Sequence, residues 1–224
     1  MVKSNIYGVI WDVDGTLLDS GEMHFNSWVI LAQELGKPFT TEDFKQTFGR
    51  RNAEIIRQLF GDHYTDQEVY DLGFRKEEYY RVTARQGLTL LPGVRALLES
   101  LHAAGFKQAV GSSAPHANLE LILELTGVAK YVSAVVGAED TTRGKPDPQV
   151  FQVAAQRLGA EPARCVVFED AVAGVQAAKA GDMRCVAVSF VGHHPQEKLR
   201  AAGADVVVRS LEELSAEQVA RLVG

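Results

Sequence analysis

The chain has 224 residues, with 23 Lys and Arg against 29 Asp and Glu, for a formal net charge of −6. A mildly acidic chain lacks the basic surface that phosphate backbones attract, which argues against a nucleic-acid binder. No apolar run is long enough to span a bilayer as a helix, so no membrane partner is expected. The length suits one core of ordinary size with a smaller appended domain.

The opening stretch, MVKSNIYGVIWDVDG, has one lysine, a short apolar run and no small-residue cleavage site, so no signal peptide is predicted. The apolar run 6–11 predicts a buried strand, and Asp12 and Asp14 fall at its carboxyl end. Residues two apart on a strand point the same way, and Gly15 lets the backbone turn tightly toward a ligand. An Asp-Gly hairpin turn is the competing reading of these residues; the acid and glycine spacing of a calcium loop is absent. Residues 20–86 carry helical patterns (EMHFNSWVILAQELG, RNAEIIRQLFG, DQEVYDLGFRKEEYYRVTARQG) and no convincing strand, which predicts a helical insert just after the first strand. Pro92 is expected to open the next helix, whose apolar stripe Val94, Leu97, Leu98 and Leu101 stops before Gly105. Further apolar runs at 106–111, 132–137, 165–168, 185–188 and 205–208 are continuous rather than alternating, as in strands covered on both faces. A helix between them is predicted to start at Asp147-Pro148, with Asp147 as N-cap and proline at the first helical position, and to end at Gly159. Strand–helix alternation of this kind predicts a doubly wound α/β parallel sheet. Cys165 and Cys185 each sit inside an apolar run and are expected to be reduced core thiols.

Three later patches follow apolar runs and so belong at the same carboxyl edge: Ser112-Ser113, Lys145 in TRGKPDPQVF, and Glu169-Asp170. Singly, each has an ordinary explanation as helix cap, loop lysine or complement to a helix dipole. Together they gather four carboxylates, a hydroxyl pair and an ammonium along one edge. That set suits phosphoryl transfer. A carboxylate can act as nucleophile and form an aspartyl-phosphate. A divalent cation, Mg²⁺, relieves the crowding of acids and neutralises the phosphate. Lysine and hydroxyl hold the remaining phosphoryl oxygens, and a second acid moves the proton.

DVDGT after an apolar strand, a serine ending the second core strand, a lysine in GKPDP and the acidic pair ED after a later strand resemble the four motifs of the haloacid dehalogenase superfamily. The insert resembles that of its helical-cap subclass, and the whole chain is similar to the β-phosphoglucomutase-like group of phosphatases and phosphomutases. The resemblance implies a Rossmann-like core over residues 1–18 and 88–224, with a cap over 19–87. It implies Asp12 as nucleophile and metal ligand, and Asp14 as general acid/base that lends its backbone carbonyl to the metal. Ser112 and Lys145 would hold the transferring group, and Asp170 would bind Mg²⁺, with Glu169 as ligand or support. Backbone N–H groups from Val13 to Gly15 and at Ser113 would complete the phosphate site. In the cap, His24 matches the family's histidine. Arg50, Arg51 and Asn52 fall in the substrate-facing loop, and Arg75 and Lys76 on the substrate-facing helix, although ordinary solvated charges would read the same way. The mutases place an arginine where this chain has Asn52, so hydrolysis of a small phosphorylated metabolite, of sugar-phosphate type, is expected, with a phosphohexomutase as the alternative. A true dehalogenase would need neither the metal nor Asp14, and a receiver-type signalling module would need no insert. The His193-His194 pair is expected in a loop. A cytoplasmic setting is expected; the oligomeric state is open, and a monomer fits.

Overall fold

A computed structural model describes residues 6–224; the segment 1–5, on which part of the signal-peptide reading rests, lies outside the described residues. The chain divides into two compact units. One comprises the chain up to Asp19 together with Thr89–Gly224, and the other is Ser20–Leu88.

The first unit is built on six strands: β1 (Gly8–Trp11), β2 (Lys107–Gly111), β3 (Ala134–Val136), β4 (Cys165–Glu169), β5 (Arg184–Val188) and β6 (Val206–Val208). They pair in the order β3-β2-β1-β4-β5-β6, every pair parallel. Parallel strands need crossovers, and helices supply them. After the insert come α5 (Val94–Ala103), α6 (His116–Thr126), α7 (Gln149–Leu158), α8 (Val172–Ala180), α9 (Gln196–Ala201) and α10 (Ala216–Ala220). With helices on the sheet, the inner strands are buried on both faces. Val9, Ile10 and Trp11 are fully buried, as are Cys165 to Phe168. Both cysteines are free and buried, and burial pushes the Cys165 thiol up to about 12, so it is inert. Ile10, Ala109 and Val167 pack with Phe151 of α7 and Val175 of α8 in one apolar core.

Two helix starts differ from the sequence expectation. α5 begins at Val94, not Pro92, because Gly93 adopts φ 82° and cannot be helical. α7 begins at Gln149, with Pro148 outside it; Asp147 still does the capping, its Oδ1 accepting from the Gln149 N–H at 3.0 Å.

The insert leaves and re-enters the first unit at one point. Leu18 and Leu90 form an antiparallel bridge, and the Leu91 N–H donates to the Leu17 carbonyl at 2.9 Å.

The second unit holds four helices, numbered α1 (Gly21–Glu34), α2 (Thr41–Thr47), α3 (Asn52–Phe60) and α4 (Asp66–Ala84). α2 was not expected from the sequence, though its signal is present. Thr40 and Asp43 form a reciprocal capping box. Thr65 and Glu68 do the same for α4. Trp28, Leu31, Phe44, Ile55, Ile56, Phe60 and Leu72 make the unit's own core.

Candidate active site

The parallel register assembles the site. Trp11 lies beside Val110 on one side and Phe168 on the other. The next residues, Asp12, Gly111 and Glu169, therefore arrive together at the carboxyl edge of the sheet. Asp12 is held there by its N–H, which donates to the Phe168 carbonyl at 2.9 Å. β1 is the switch point of the sheet, since the chain runs from it to β2 on one side and is flanked by β4 on the other. Open α/β sheets bind ligands at such points.

Asp12, Glu169 and Asp170 each offer a carboxylate oxygen within 4.8 Å of the others, all buried. One ammonium stands among them: Lys145 Nζ lies 2.6 Å from Asp12 Oδ1 and 2.6 Å from Glu169 Oε1. Burial and the neighbouring Glu169 and Asp14 push the Asp12 carboxyl up to about 8, against the pull of Lys145. Burial, then Glu169 and Asp12, raise Asp170 well above the ordinary carboxylate range. Burial works against the Lys145 charge, but Asp12 and Glu169 outweigh it and hold the lysine protonated. The cluster thus has more acid than one ammonium can balance.

The donors fit a hard divalent cation. All are carboxylate oxygens, the ligand type that Mg²⁺ takes. Asp170 Oδ2 is buried with no hydrogen-bond partner, which a cation would supply. Gly15 (φ 87°) keeps that space open, because a Cβ there would lie 2.1 Å from Asp170 Oδ2. Glu169 is differently placed. Its Oε1 accepts from Lys145 and its Oε2 from the N–H groups of Asp170 (2.8 Å) and Ala171 (2.6 Å). Both oxygens are engaged, so Glu169 braces Lys145 and the turn carrying Asp170. Gly174 leaves room for this brace, since a Cβ there would lie 1.7 Å from Glu169 Oε1.

Around the cluster, the turn after β1 is closed by the Val13 carbonyl, which accepts from Leu17, and by the Gly15 N–H, which donates to the Leu18 carbonyl at 2.8 Å. The Gly15 N–H is therefore used within the turn. Asp14 is half-buried, outside the three-carboxylate cluster. Ser112, 2% exposed, accepts from the Ala114 N–H through Oγ at 3.1 Å, which leaves its hydroxyl proton to donate. Ser113 follows it, half-buried. His193 and His194 do lie in the loop between β5 and α9, but this loop also starts at the carboxyl edge. Burial lowers both imidazoles, and the Glu169 charge reaches His194. The strand-end rule that located the other patches applies equally to this loop.

In the second unit, three nominated residues meet in one buried cluster. Lys76 Nζ lies 2.7 Å from His24 Nδ1 and 2.8 Å from Glu77 Oε1, and Asn52 Nδ2 donates to the same Glu77 oxygen at 2.7 Å. Lys76 is 2% exposed and packs over Trp28; it is no solvated surface charge. His24 stacks on Tyr80 with centroids 4.1 Å apart. Arg50, in the loop before α3, turns along that helix instead, bonding Glu54 at 3.1 Å and Gln58 at 2.6 Å. Arg51 is the residue before α3, and Arg75 pairs with Glu34 at 3.2 Å.

A doubly wound sheet with this acid-rich edge and a helical insert after its first strand defines a class of hydrolytic enzymes. The sequence matches the haloacid dehalogenase-like hydrolase family over residues 6–182, and the chain belongs to it. Within the family it falls in the β-phosphoglucomutase-like group. It is 34% identical over 210 residues to the chloroplastic 5-amino-6-(5-phospho-D-ribitylamino)uracil phosphatase of Arabidopsis thaliana, covering 93% of this chain and 55% of that protein. The chain thus spans little more than half of that relative. It is also 34% identical over 217 residues to the β-phosphoglucomutase of Bacillus subtilis, covering 93% and 92%. The crystal structure of β-phosphoglucomutase from Clostridium difficile shares the fold, with TM-score 0.86 at 24% identity over 97% of each chain. No helix among the described residues is long and apolar enough to cross a membrane.

Proposed function

We propose that the chain is a Mg²⁺-dependent phosphatase that works through an aspartyl-phosphate on Asp12, with a small phosphorylated metabolite of sugar-phosphate type as substrate. The observation that carries this is the buried cluster of Asp12, Glu169 and Asp170 around Lys145, with Asp170 Oδ2 lacking a partner. Mg²⁺, held by Asp12, Asp170 and the Asp14 backbone carbonyl, would neutralise charge on the phosphoryl oxygens. The Asp12 carboxylate attacks phosphorus in line with the leaving oxygen, forming the Asp12 O–P bond as the ester O–P bond breaks. Asp14 gives its proton to the leaving oxygen, then takes one from the water that attacks the phosphoenzyme. Lys145 and the Ser112 hydroxyl orient the phosphoryl oxygens, and Glu169 keeps the lysine in place.

Hydrolysis is favoured over isomerisation by the state of the insert's candidate grips. A mutase must retain a bisphosphate intermediate, and a forked arginine suits that task. Here Arg50 is bonded to Glu54 and Gln58 of α3, and Asn52 to Glu77. The mutase reading keeps support from the Bacillus subtilis relative. The protein's mildly acidic composition and two buried reduced thiols fit a cytoplasmic setting.

The test is a panel of sugar phosphates with Mg²⁺, read for both free phosphate and isomer. It includes β-glucose 1-phosphate with a trace of the 1,6-bisphosphate. Mg²⁺-dependent phosphate release that stops in excess chelator is expected. Glucose 6-phosphate forming much faster than phosphate overturns the phosphatase reading in favour of the mutase. Full activity in chelator removes the metal.

A further inference from the structure

Asp140 stands in the turn that follows β3, outside the three-carboxylate cluster, and no step of the chemistry at Asp12 uses it. Its side chain has partners on three sides. Oδ2 accepts from the Gly137 N–H at 2.8 Å and lies 2.6 Å from Nε2 of His116, the first residue of α6. Oδ1 pairs with Arg157 of α7. Burial works against the Asp140 charge, but Arg157, the Gly137 N–H and His116 outweigh it and hold the carboxyl down at about 2. An ionised carboxylate only accepts, so the His116 hydrogen facing it sits on Nε2. One carboxylate thus ties the turn after β3 to the starts and flanks of two helices.

That turn touches the loop that carries Ser112. The Ser112 N–H donates to the Val136 carbonyl at 3.0 Å, and the Ala138 N–H donates to the Ala114 carbonyl at 2.9 Å. The Ala114 N–H in turn donates to Ser112 Oγ at 3.1 Å. A continuous path therefore runs from the Asp140 carboxylate through the Gly137–Ala138 turn and Ala114 to the Ser112 hydroxyl. The contact is close: a Cβ on Gly137 would lie 2.9 Å from the Ala114 carbonyl oxygen. Glu139 adds a second tie, accepting from the His116 N–H at 3.0 Å. Lys145 comes later in the same connection but is fixed separately. Asp12 and Glu169 hold its ammonium, and Gln149 Oε1 accepts from the Thr142 and Arg143 N–H groups at 3.0 and 2.9 Å.

We propose that Asp140 is a positioning residue for phosphoryl transfer, acting through the Gly137–Ala138 turn and Ala114 to aim the Ser112 hydroxyl. The proposal rests on the phosphatase reading, in which that hydroxyl orients a phosphoryl oxygen. Asp140 itself touches no reacting atom. A donor that drifts from its aim loses more in the transition state than in the bound ester, so the loss falls on kcat rather than on KM. Asp140→Asn keeps the shape of the side chain, but its NH₂ group must face one of the three present donors. One tie is then lost, and the turn against Ala114 is free to shift.

The experiment is a double-variant cycle on kcat and KM for 4-nitrophenyl phosphate with Mg²⁺, using the wild type, Asp140→Asn, Ser112→Ala and the two combined, with folding checked by circular dichroism. Asp140→Asn should lower kcat by about tenfold with KM nearly unchanged, the scale of a catalytic group displaced by a fraction of an ångström. In the Ser112→Ala background the same change should lower kcat by less than about twofold, because the hydroxyl it aims is already gone. A merely structural role would give losses that multiply. Multiplying losses overturn the proposal, as does a folded Asp140→Asn with wild-type kcat, and both leave the phosphatase reading intact. Should Asp140→Asn fail to fold, Gly137→Ala takes its place in the cycle. Gly137 has φ −118°, open to any residue, so the added methyl acts only by pressing on the Ala114 carbonyl. It should lower kcat in the same way and lose its effect in Ser112→Ala; an unchanged kcat or multiplying losses there refute the proposal. A wild type that hydrolyses no ester on the panel overturns the phosphatase reading, and the proposal falls with it.

Discussion

Removing a ligand from a metal site ordinarily weakens a protein, but at the proposed Mg²⁺ site Asp170→Asn should strengthen this one when no metal is present. The Asp170 carboxylate has neighbours in Asp12 and Glu169 within 4.8 Å and one oxygen without a hydrogen-bond partner. At that distance and an effective dielectric of about 20, each like-charge pair costs about 3 kcal/mol. Lys145 offsets part of this, and the acid can take up a proton instead, so the expected gain near pH 7.5 is about 1–3 kcal/mol. For a chain of this size that raises the melting temperature by roughly 3–10 °C. The sign with pH follows from the raised carboxyl. The unfolded group ionises near 3.8, the folded one well above it. Asp170 therefore costs nothing below about pH 4 and costs progressively more as pH rises through the interval between the two values. The advantage of Asp170→Asn in chelator should be small at pH 5 and larger at pH 8. Added Mg²⁺ should stabilise the wild type and not the variant, reversing their order. Thermal melts at both pH values, with chelator and with Mg²⁺, test this. A variant no more stable than wild type in chelator at pH 8 would refute the electrostatic account of the cluster.

Lys145→Met should act in the opposite direction. It leaves the three acids without their ammonium and should cost about 3–5 kcal/mol in the same melts. Asp12→Asn should abolish turnover with the fold retained, checked by circular dichroism beside steady-state kinetics, whereas Asp14→Asn should still give a slow burst from an activated aryl phosphate, whose leaving group needs no proton. Gly174→Ala should displace Glu169, whose three hydrogen bonds leave it nowhere to retreat, and lower kcat by about 10²-fold through misplaced Lys145; wild-type kcat there would show that the brace is dispensable.

The sheet is legible because its strands are continuous apolar runs, and the gathering of acids at its edge because strand ends carry them. Glu169 marks where that reading stopped short. It is the last residue of β4 and 1% exposed, but a carboxylate breaks an apolar run, and its burial rests on Lys145, 24 positions earlier, together with the N–H groups of Asp170 and Ala171. The start of α5 was misread because proline favours a first turn, while the left-handed Gly93 was invisible in composition. Arg75 and Lys76 read alike as solvated charges on α4; Lys76 is instead buried against Trp28 of α1 and Tyr80 of α4 itself, and no local pattern encodes it. The histidines after β5 were placed in a loop but not at the edge, although the same strand-end logic applied to them.

The clasp at Leu17, Leu18, Leu90 and Leu91 has a consequence for how such an enzyme can change. The two chain segments are tied to each other before the insert begins, so the sheet closes over its own ends whatever lies between them. The core does not depend on the insert to hold β1 in register. A helical module grafted between the same leucines would leave Asp12, Lys145 and Asp170 where they are. The insert becomes an exchangeable cassette on a centre whose geometry is fixed without it.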